Sequence, residues 1–155
     1  MLYLGIDPGV TGACALIDET GKHRFSWRWD KKLGLRGLKD QWRTEGITQY
    51  MITAACLEKV HSMPGQGVSS TFKFGMNFGM WQGLLVTADI RHELITPQRW
   101  MKAVLDSGDR SPEHRLAWAC RRWPEAPWKG VKVESGIADA LGLAEYARQT
   151  DKEPF

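Results

Sequence analysis

Apolar residues come along this chain first in short runs and later at helical spacing. Leu2–Asp7 (LYLGID) is a brief apolar run ending on an acid, the pattern of a buried strand. Gly9, Thr11 and Gly12 then turn the chain, and Ala13–Asp18 (ACALID) repeats the pattern as a second strand closed by Glu19, Thr20 and Gly21. Residues 23–29 alternate polar and aromatic side chains, as a half-exposed third strand does. The short turns between these runs predict an antiparallel three-strand meander. The stretch 31–46 carries several glycines and one predicted helix, around residues 38–43. Residues 52–60 (ITAACLEKV) predict a fourth, buried strand with Glu58 near its end.

Residues 61–67 (HSMPGQG) read as a loop by their Pro and Gly content. Ser69 or Ser70 is placed to cap a long helix running to about residue 88. On that helix Phe74, Phe78, Trp81 and Leu85 form one stripe, and Met76, Met80 and Leu84 another. A helix apolar on two sides must bury both, so one stripe is expected on the sheet and the other on a second copy of the chain. Gly75, Gly79 and Gly83 recur on it and would admit a neighbouring backbone.

Residues 93–96 predict a fifth strand. Thr96-Pro97 and Ser111-Pro112-Glu113 are helix starts, and Pro124 ends the second of these helices. Ser135 can cap a last helix to about residue 149, with Ile137, Leu141 and Ala144 on one stripe. This order predicts an α/β fold: a five-stranded mixed sheet flanked by helices. No repeat or composition shift divides the chain, so one domain over 1–150 and a flexible tail over 151–155 are expected.

Composition narrows the function classes. With 155 residues, 43% hydrophobic and 25% charged, the chain reads as a soluble globular protein. The start, MLYLGIDPG, has no basic region before its apolar run, and no run approaches the roughly 20 residues of a membrane span. Cys14, Cys56 and Cys120 have no CxxC spacing and lie in apolar context, which predicts reduced core thiols and a cytoplasmic protein. His23, His61, His92 and His114 show no zinc spacing.

The net charge of +3 is modest, but it is unevenly spread. Lys22, Arg24, Arg28, Lys31, Lys32, Arg36, Lys39 and Arg43 form one basic stretch, with Trp27, Trp29 and Trp42 among them. Arg110, Arg115, Arg121, Arg122, Lys129 and Lys132 form another. Such clusters neutralise phosphates, and aromatics between cations stack on bases. An ordinary solvated face has the same composition.

Asp7 and Glu58 each terminate an otherwise apolar strand. If those strands are parallel neighbours, their carboxyl ends share one sheet edge, where ligand sites of open α/β sheets form. Asp139, early in the last helix, can reach the same edge. Three converging carboxylates repel one another and are tolerated when cations lie between them. Hard oxygen ligands of this kind suit Mg²⁺ or Mn²⁺, and two such ions can clamp the attacking water and the leaving oxygen of a phosphodiester.

Four sequence elements, in order along the chain, resemble one family. GIDPGVTG at residues 5–12 is similar to the first-strand motif of the RuvC-like Holliday-junction resolvases, within the ribonuclease H-like superfamily. The run from Glu58 through His61, Met63 and Ser70, followed by Phe72-Lys73-Phe74-Gly75, resembles their phage and prophage branch. Thr96-Pro97-Gln98-Arg99-Trp100-Met101-Lys102 resembles the family's TPxxWK element, and Ala138-Asp139-Ala140-Leu141 its terminal ADAL helix.

The resemblance implies a homodimer that binds a four-way or otherwise branched DNA and nicks two opposed strands with two divalent ions per site. By that resemblance Asp7 bridges the ions, and Glu58 and Asp139 complete the ligands. Family members usually carry a fourth acid or a His three residues before the last Asp; here that position is Gly136, and Glu134 is the nearest acid. His61 and Met63 lie where the family inserts residues into the junction centre. Lys73 would contact a phosphate near the active site, the flanking Phe72 and Phe74 are candidate DNA contacts, and Lys132 is a further one. No membrane and no small-molecule cofactor are implied. A similar glycine turn opens actin-like ATPases, but those need two domains, for which this chain is short. A junction-binding module that keeps the acids without cutting is the other reading.

Overall fold

The computed structural model describes residues 1–9, 12–59, 67–106, 108–128 and 135–151. Five strands, β1 (Leu2–Asp7), β2 (Ala13–Asp18), β3 (His23–Arg28), β4 (Ile52–Glu58) and β5 (His92–Ile95), form one sheet in the order β3-β2-β1-β4-β5. The first three make the expected antiparallel meander, with Asp7 opposite Ala13 and Cys14 opposite Trp27. β4 joins β1 in parallel and β5 joins β4 in parallel, so the sheet is mixed. The helices are α1 (Gly34–Thr44), α2 (Val68–Thr87), α3 (Pro97–Val104), α4 (Pro112–Arg122) and α5 (Ser135–Thr150), with a 3-10 turn at Gln49–Met51.

The inner strands read as unbroken apolar runs because both faces of the sheet are covered. Tyr3, Ala13, Ala15, Ile17, Ala54 and Cys56 point to the side of α3, α4 and α5. Leu4, Ile6, Cys14, Leu16, Ala55 and Leu57 point to the side of α1 and α2. Alternate residues of a strand face opposite ways, so one short run serves two cores.

Helix α5 departs from the expected single stripe: every residue from Gly136 to Ala147 is buried. Its small residues let it lie directly on β1 with α3 and α4 beside it. A Cβ on Gly5 would stand 1.9 Å from the Ala140 carbonyl oxygen, and one on Gly142 would stand 2.5 Å from the Trp100 ring. Glu145 is tolerated inside because Arg148 donates to both of its oxygens, at 2.7 and 2.9 Å.

Other differences are local. α1 begins at Gly34, earlier than the apolar pattern indicates, and Gly34 has a positive φ of 53° that glycine adopts without strain. The N-cap of α2 is Gly67 rather than Ser69 or Ser70, which are both exposed. On α2, Trp81 and Leu85 are buried, and Phe78 and Leu84 pack with them, so Leu84 belongs to the sheet side. The outward face carries Val68, Phe72, Met76 and Val86, all exposed. Cys14 and Cys56 are buried as expected, whereas Cys120 on the flank of α4 is half-buried. Asp151 accepts a hydrogen bond from the Tyr3 hydroxyl at 3.0 Å, and residues 152–155 lie outside the described ones.

Candidate functional site

The parallel pairing of β1 and β4 places Ile6 opposite Leu57, so Asp7 and Glu58 follow one another's register at the same sheet edge. Past Asp7 the chain turns sharply: the Gly9 N–H donates to Asp7 Oδ1 at 2.9 Å, and the Gly12 N–H donates to the Gly9 carbonyl at 2.9 Å. Asn77 of α2 braces this turn, its Nδ2 donating to the Pro8 carbonyl at 2.7 Å and the Gly9 carbonyl at 3.0 Å. Glu58 is oriented by the buried Trp100 indole of α3, whose Nε1 donates to Oε1 at 2.8 Å.

Asp139 reaches the site from α5, where Arg115 of α4 meets it with a two-pronged contact. A third Arg115 nitrogen, Nη1, donates to the Arg110 carbonyl at 2.7 Å and fixes the fork. Arg115 belongs to the second basic stretch, but it turns inward onto an acid rather than outward to a phosphate.

The acids behave as one electrostatic cluster. Burial, then the charges of Asp139 and Glu58, push the Asp7 carboxyl up to about 7, against the pull of the Gly9 N–H and Arg115. Glu58 is raised by burial despite the Trp100 hydrogen bond, and Asp139 adds to the rise. Asp139 is itself raised, because burial outweighs the Arg115 contacts. Arg115 is held charged: its hydrogen bond to Asp139 and the charges of Asp139, Glu58 and Asp7 overcome the desolvation that opposes it.

Three carboxylates against one guanidinium leave excess negative charge, and the donors are hard oxygens that suit a small divalent cation. Among the described residues, however, no group of three or more His, Cys, Asp or Glu side chains is gathered closely enough to hold an ion. The hydrogen bonds give the reason: Arg115 takes both Asp139 oxygens, while Trp100 and Gly9 each take one from Glu58 and Asp7. The donor set therefore fits a divalent ion in its chemistry, with Asp139 turned to an internal cation.

The structure thus brings together Asp7, Glu58 and Asp139. Phe72 and Lys73 are exposed near the start of α2, and Phe74 is half-buried. Glu134, His61, Met63 and Lys132 lie outside the described residues. Sequence reasoning missed the parts played by Arg115, Trp100 and Asn77. Two signals pointed that way: Trp100 sits within the TPxxWK-like element, and Asn77 is an amide set among apolar residues of a helical stretch.

The sheet order and the flanking helices give an α/β fold like that of RuvC. Two solved structures share this fold across nearly the whole chain. One is described as the Thermus thermophilus RuvC structure, at 19% identity and a TM-score of 0.60, covering 93% of this chain and 91% of that one. The other is T. thermophilus RuvC in complex with a Holliday junction substrate, at 20% identity and a TM-score of 0.63, covering 100% and 99%. No protein-family model matches the sequence, and no curated protein matches it.

Proposed function

We propose that this protein is a divalent-metal-dependent endodeoxyribonuclease that resolves four-way (Holliday) or otherwise branched DNA. The observation that carries the reading is the convergence of Asp7, Glu58 and Asp139, from three separate elements, at the carboxyl edge of a RuvC-type sheet. Two Mg²⁺ or Mn²⁺ ions would supply the positive charge that stabilises attacking and leaving oxygens in phosphodiester hydrolysis. Asp7, Glu58 and Asp139 would hold them, with Glu134 as the fourth ligand. The chain's own contribution is placement: Asn77 and Gly9 fix the Asp7 turn, Trp100 aims Glu58, and Arg115 holds Asp139.

The exposed apolar face of α2, with Val68, Phe72, Met76 and Val86, supports a homodimer, because contiguous exposed apolar surface marks an association site. A twofold pair presents two active sites to a symmetric junction. Lys73, Lys132 and the basic stretches other than Arg115 would contact phosphates, while Phe72, Phe74, His61 and Met63 would meet the strands at the branch. Binding is then steeply salt-dependent, and junction shape supplies the selectivity. No described helix is long and apolar enough to cross a membrane. DNA processing places the protein in the cytoplasm of a bacterium or a phage-infected cell, the phage branch resting on the stretch at 58–75.

The test is cleavage of a synthetic four-way junction against matched linear duplex, with and without Mg²⁺. Paired nicks in the junction alone, only with metal, are expected; duplex competing equally well for binding overturns the reading. The Arg115–Asp139 pairing favours one alternative, a junction binder that does not cut. Binding without nicking in Mn²⁺ would establish it.

A further inference from the structure

Asn77, which braces the Asp7 turn, also lines a cavity of about 290 Å³ with Trp29, Lys31, Lys73, Met76 and Met80. Its size is close to the lower end of the roughly 300–1,000 Å³ typical of ligand pockets, so it admits a small group rather than a duplex. Trp29 follows β3 and belongs to a tryptophan cluster. Its ring lies 5.8 Å from Trp27, edge-on, and 5.8 Å from the fully buried Trp81. These contacts hold the indole in one orientation while leaving it half-exposed. Met76 and Met80, one helical turn apart, add a polarizable apolar wall.

The polar lining is one-sided in charge. Lys31 and Lys73 are both exposed, come from different elements, and among the described residues no acid lines the cavity with them. Asn77 supplies the third feature. It is 4% exposed, both of its described hydrogen bonds are donated through Nδ2, and its buried Oδ1 accepts none. Its Nδ2 ties this side of the cavity to the Asp7 turn, while Oδ1 is closed off from solvent. An aromatic and thioether wall beside two cations together match a nucleotide: a π-face and a phosphate.

We propose that this cavity takes one unstacked nucleotide of the bound DNA strand, with its base against Trp29 and the methionines and its phosphates near Lys31 and Lys73. Because Asn77 also holds the Pro8 and Gly9 carbonyls, the seated nucleotide lies next to the Asp7 turn, and its fit bears on which phosphodiester is presented. Lys73, Asn77 and Met80 recur at helical spacing on a stripe beside the Val68, Phe72 and Val86 face, so nucleotide and partner copy use adjoining sides of α2, with Met76 at their border. The identity of the ligand as part of a branched DNA rests on the function proposed above.

The test uses the full chain in metal-free buffer, so that nothing is cut. The probes are a short single-stranded oligonucleotide carrying one 2-aminopurine and a four-way junction carrying it at positions around the branch. Wild-type binding is expected to change 2-aminopurine emission, and Trp29→Leu to abolish that change and weaken oligonucleotide binding by about 5- to 150-fold, the range for one stacked base. Lys31→Ala with Lys73→Ala touches only exposed side chains. It should lower the slope of log affinity against log salt by about 1.4, at about 0.7 per phosphate contact on a single strand. An unchanged slope in the lysine pair overturns the cavity assignment, as does emission that responds identically in wild type and a folded Trp29→Leu. Equal affinity for junction and duplex sinks the resolvase reading instead, and leaves the oligonucleotide result to stand or fall by itself.

Discussion

Arg115 and Asp139 meet fork to fork across α4 and α5, Nε at 2.6 Å from Oδ1 and Nη2 at 3.0 Å from Oδ2. Only 17% and 12% of the two side chains is exposed, so the pair is poorly screened. The same guanidinium also lowers the pKa of Asp7 and of Glu58. In the metal-free protein, one fixed cation thus compensates three acids that a divalent ion would compensate better.

Removing that cation should separate fold stability from metal affinity. Arg115→Met leaves Asp139 buried without its partner, a loss of about 3–5 kcal/mol for a buried pair. A large fall in Tm is expected in chelator, with a larger rise on adding Mn²⁺ than the wild type shows, and tighter Mn²⁺ binding by calorimetry. Equal metal responses in the two proteins would mean that Arg115 and the ion do not compete.

Asp7→Asn should abolish nicking and leave junction binding intact, because it removes a charge the ions need and nothing the phosphates need. It also carries a stability signature. The folded Asp7 carboxyl is pushed up from 3.8 to about 7, so between those values the folded protein keeps a proton that the unfolded chain releases. Wild-type stability therefore falls as pH rises through that window and stays lower above it. In metal-free buffer at pH 8 the Asn variant should be the more stable by up to about 4 kcal/mol, and the gap should close near pH 4. Denaturant melts at the two pH values measure it; a variant that nicks at the wild-type rate removes Asp7 from the centre of the site.

The sequence showed the acids more clearly than their surroundings. Asp7 and Glu58 were legible because an acid closing an apolar strand breaks a strong local pattern. The meander was legible because its turns are short. Arg115 was not, since a guanidinium in a basic stretch looks the same whether it faces solvent or folds onto an acid from another helix. Nor was the burial of α5, because alanine and glycine carry a weak periodic signal yet allow the closest packing. The outward face of α2 was read with Leu84 on it, and helix phase at a single leucine was the error. Trp100 and Asn77 act through contacts distant in sequence, which spacing does not encode.

Trp100→Phe keeps an aromatic ring against Gly142 but deletes the Nε1 donor to Glu58. A hydrogen bond to a charged group contributes about 1.5–3 kcal/mol, and its loss leaves Glu58 free to turn. Junction nicking should slow by at least an order of magnitude at subsaturating Mg²⁺ while gel-shift affinity for the junction stays within about twofold. A parallel fall in both would make Trp100 a packing residue alone.

Gly79 offers a clean probe of the proposed dimer face, since a Cβ built there meets nothing within 4 Å in the single chain. Gly79→Arg should fold at least as well as wild type, as glycine is worth about 1 kcal/mol less than most residues within a helix. If α2 packs on its twofold copy, the bulky cation should shift the light-scattering mass from dimer to monomer. An unchanged dimer would move the interface elsewhere.

Helix α5 rests directly on β1, so close that Gly5 has no room for a methyl group. Asp7 therefore emerges early in synthesis, while its companion Asp139 arrives only once α5 has been translated and docked. A nascent or truncated chain holds Asp7 and Glu58 with nothing to complete them. The three-acid edge is thus assembled last, by the docking of α5, and a chain cut before residue 135 carries two of its acids without the third.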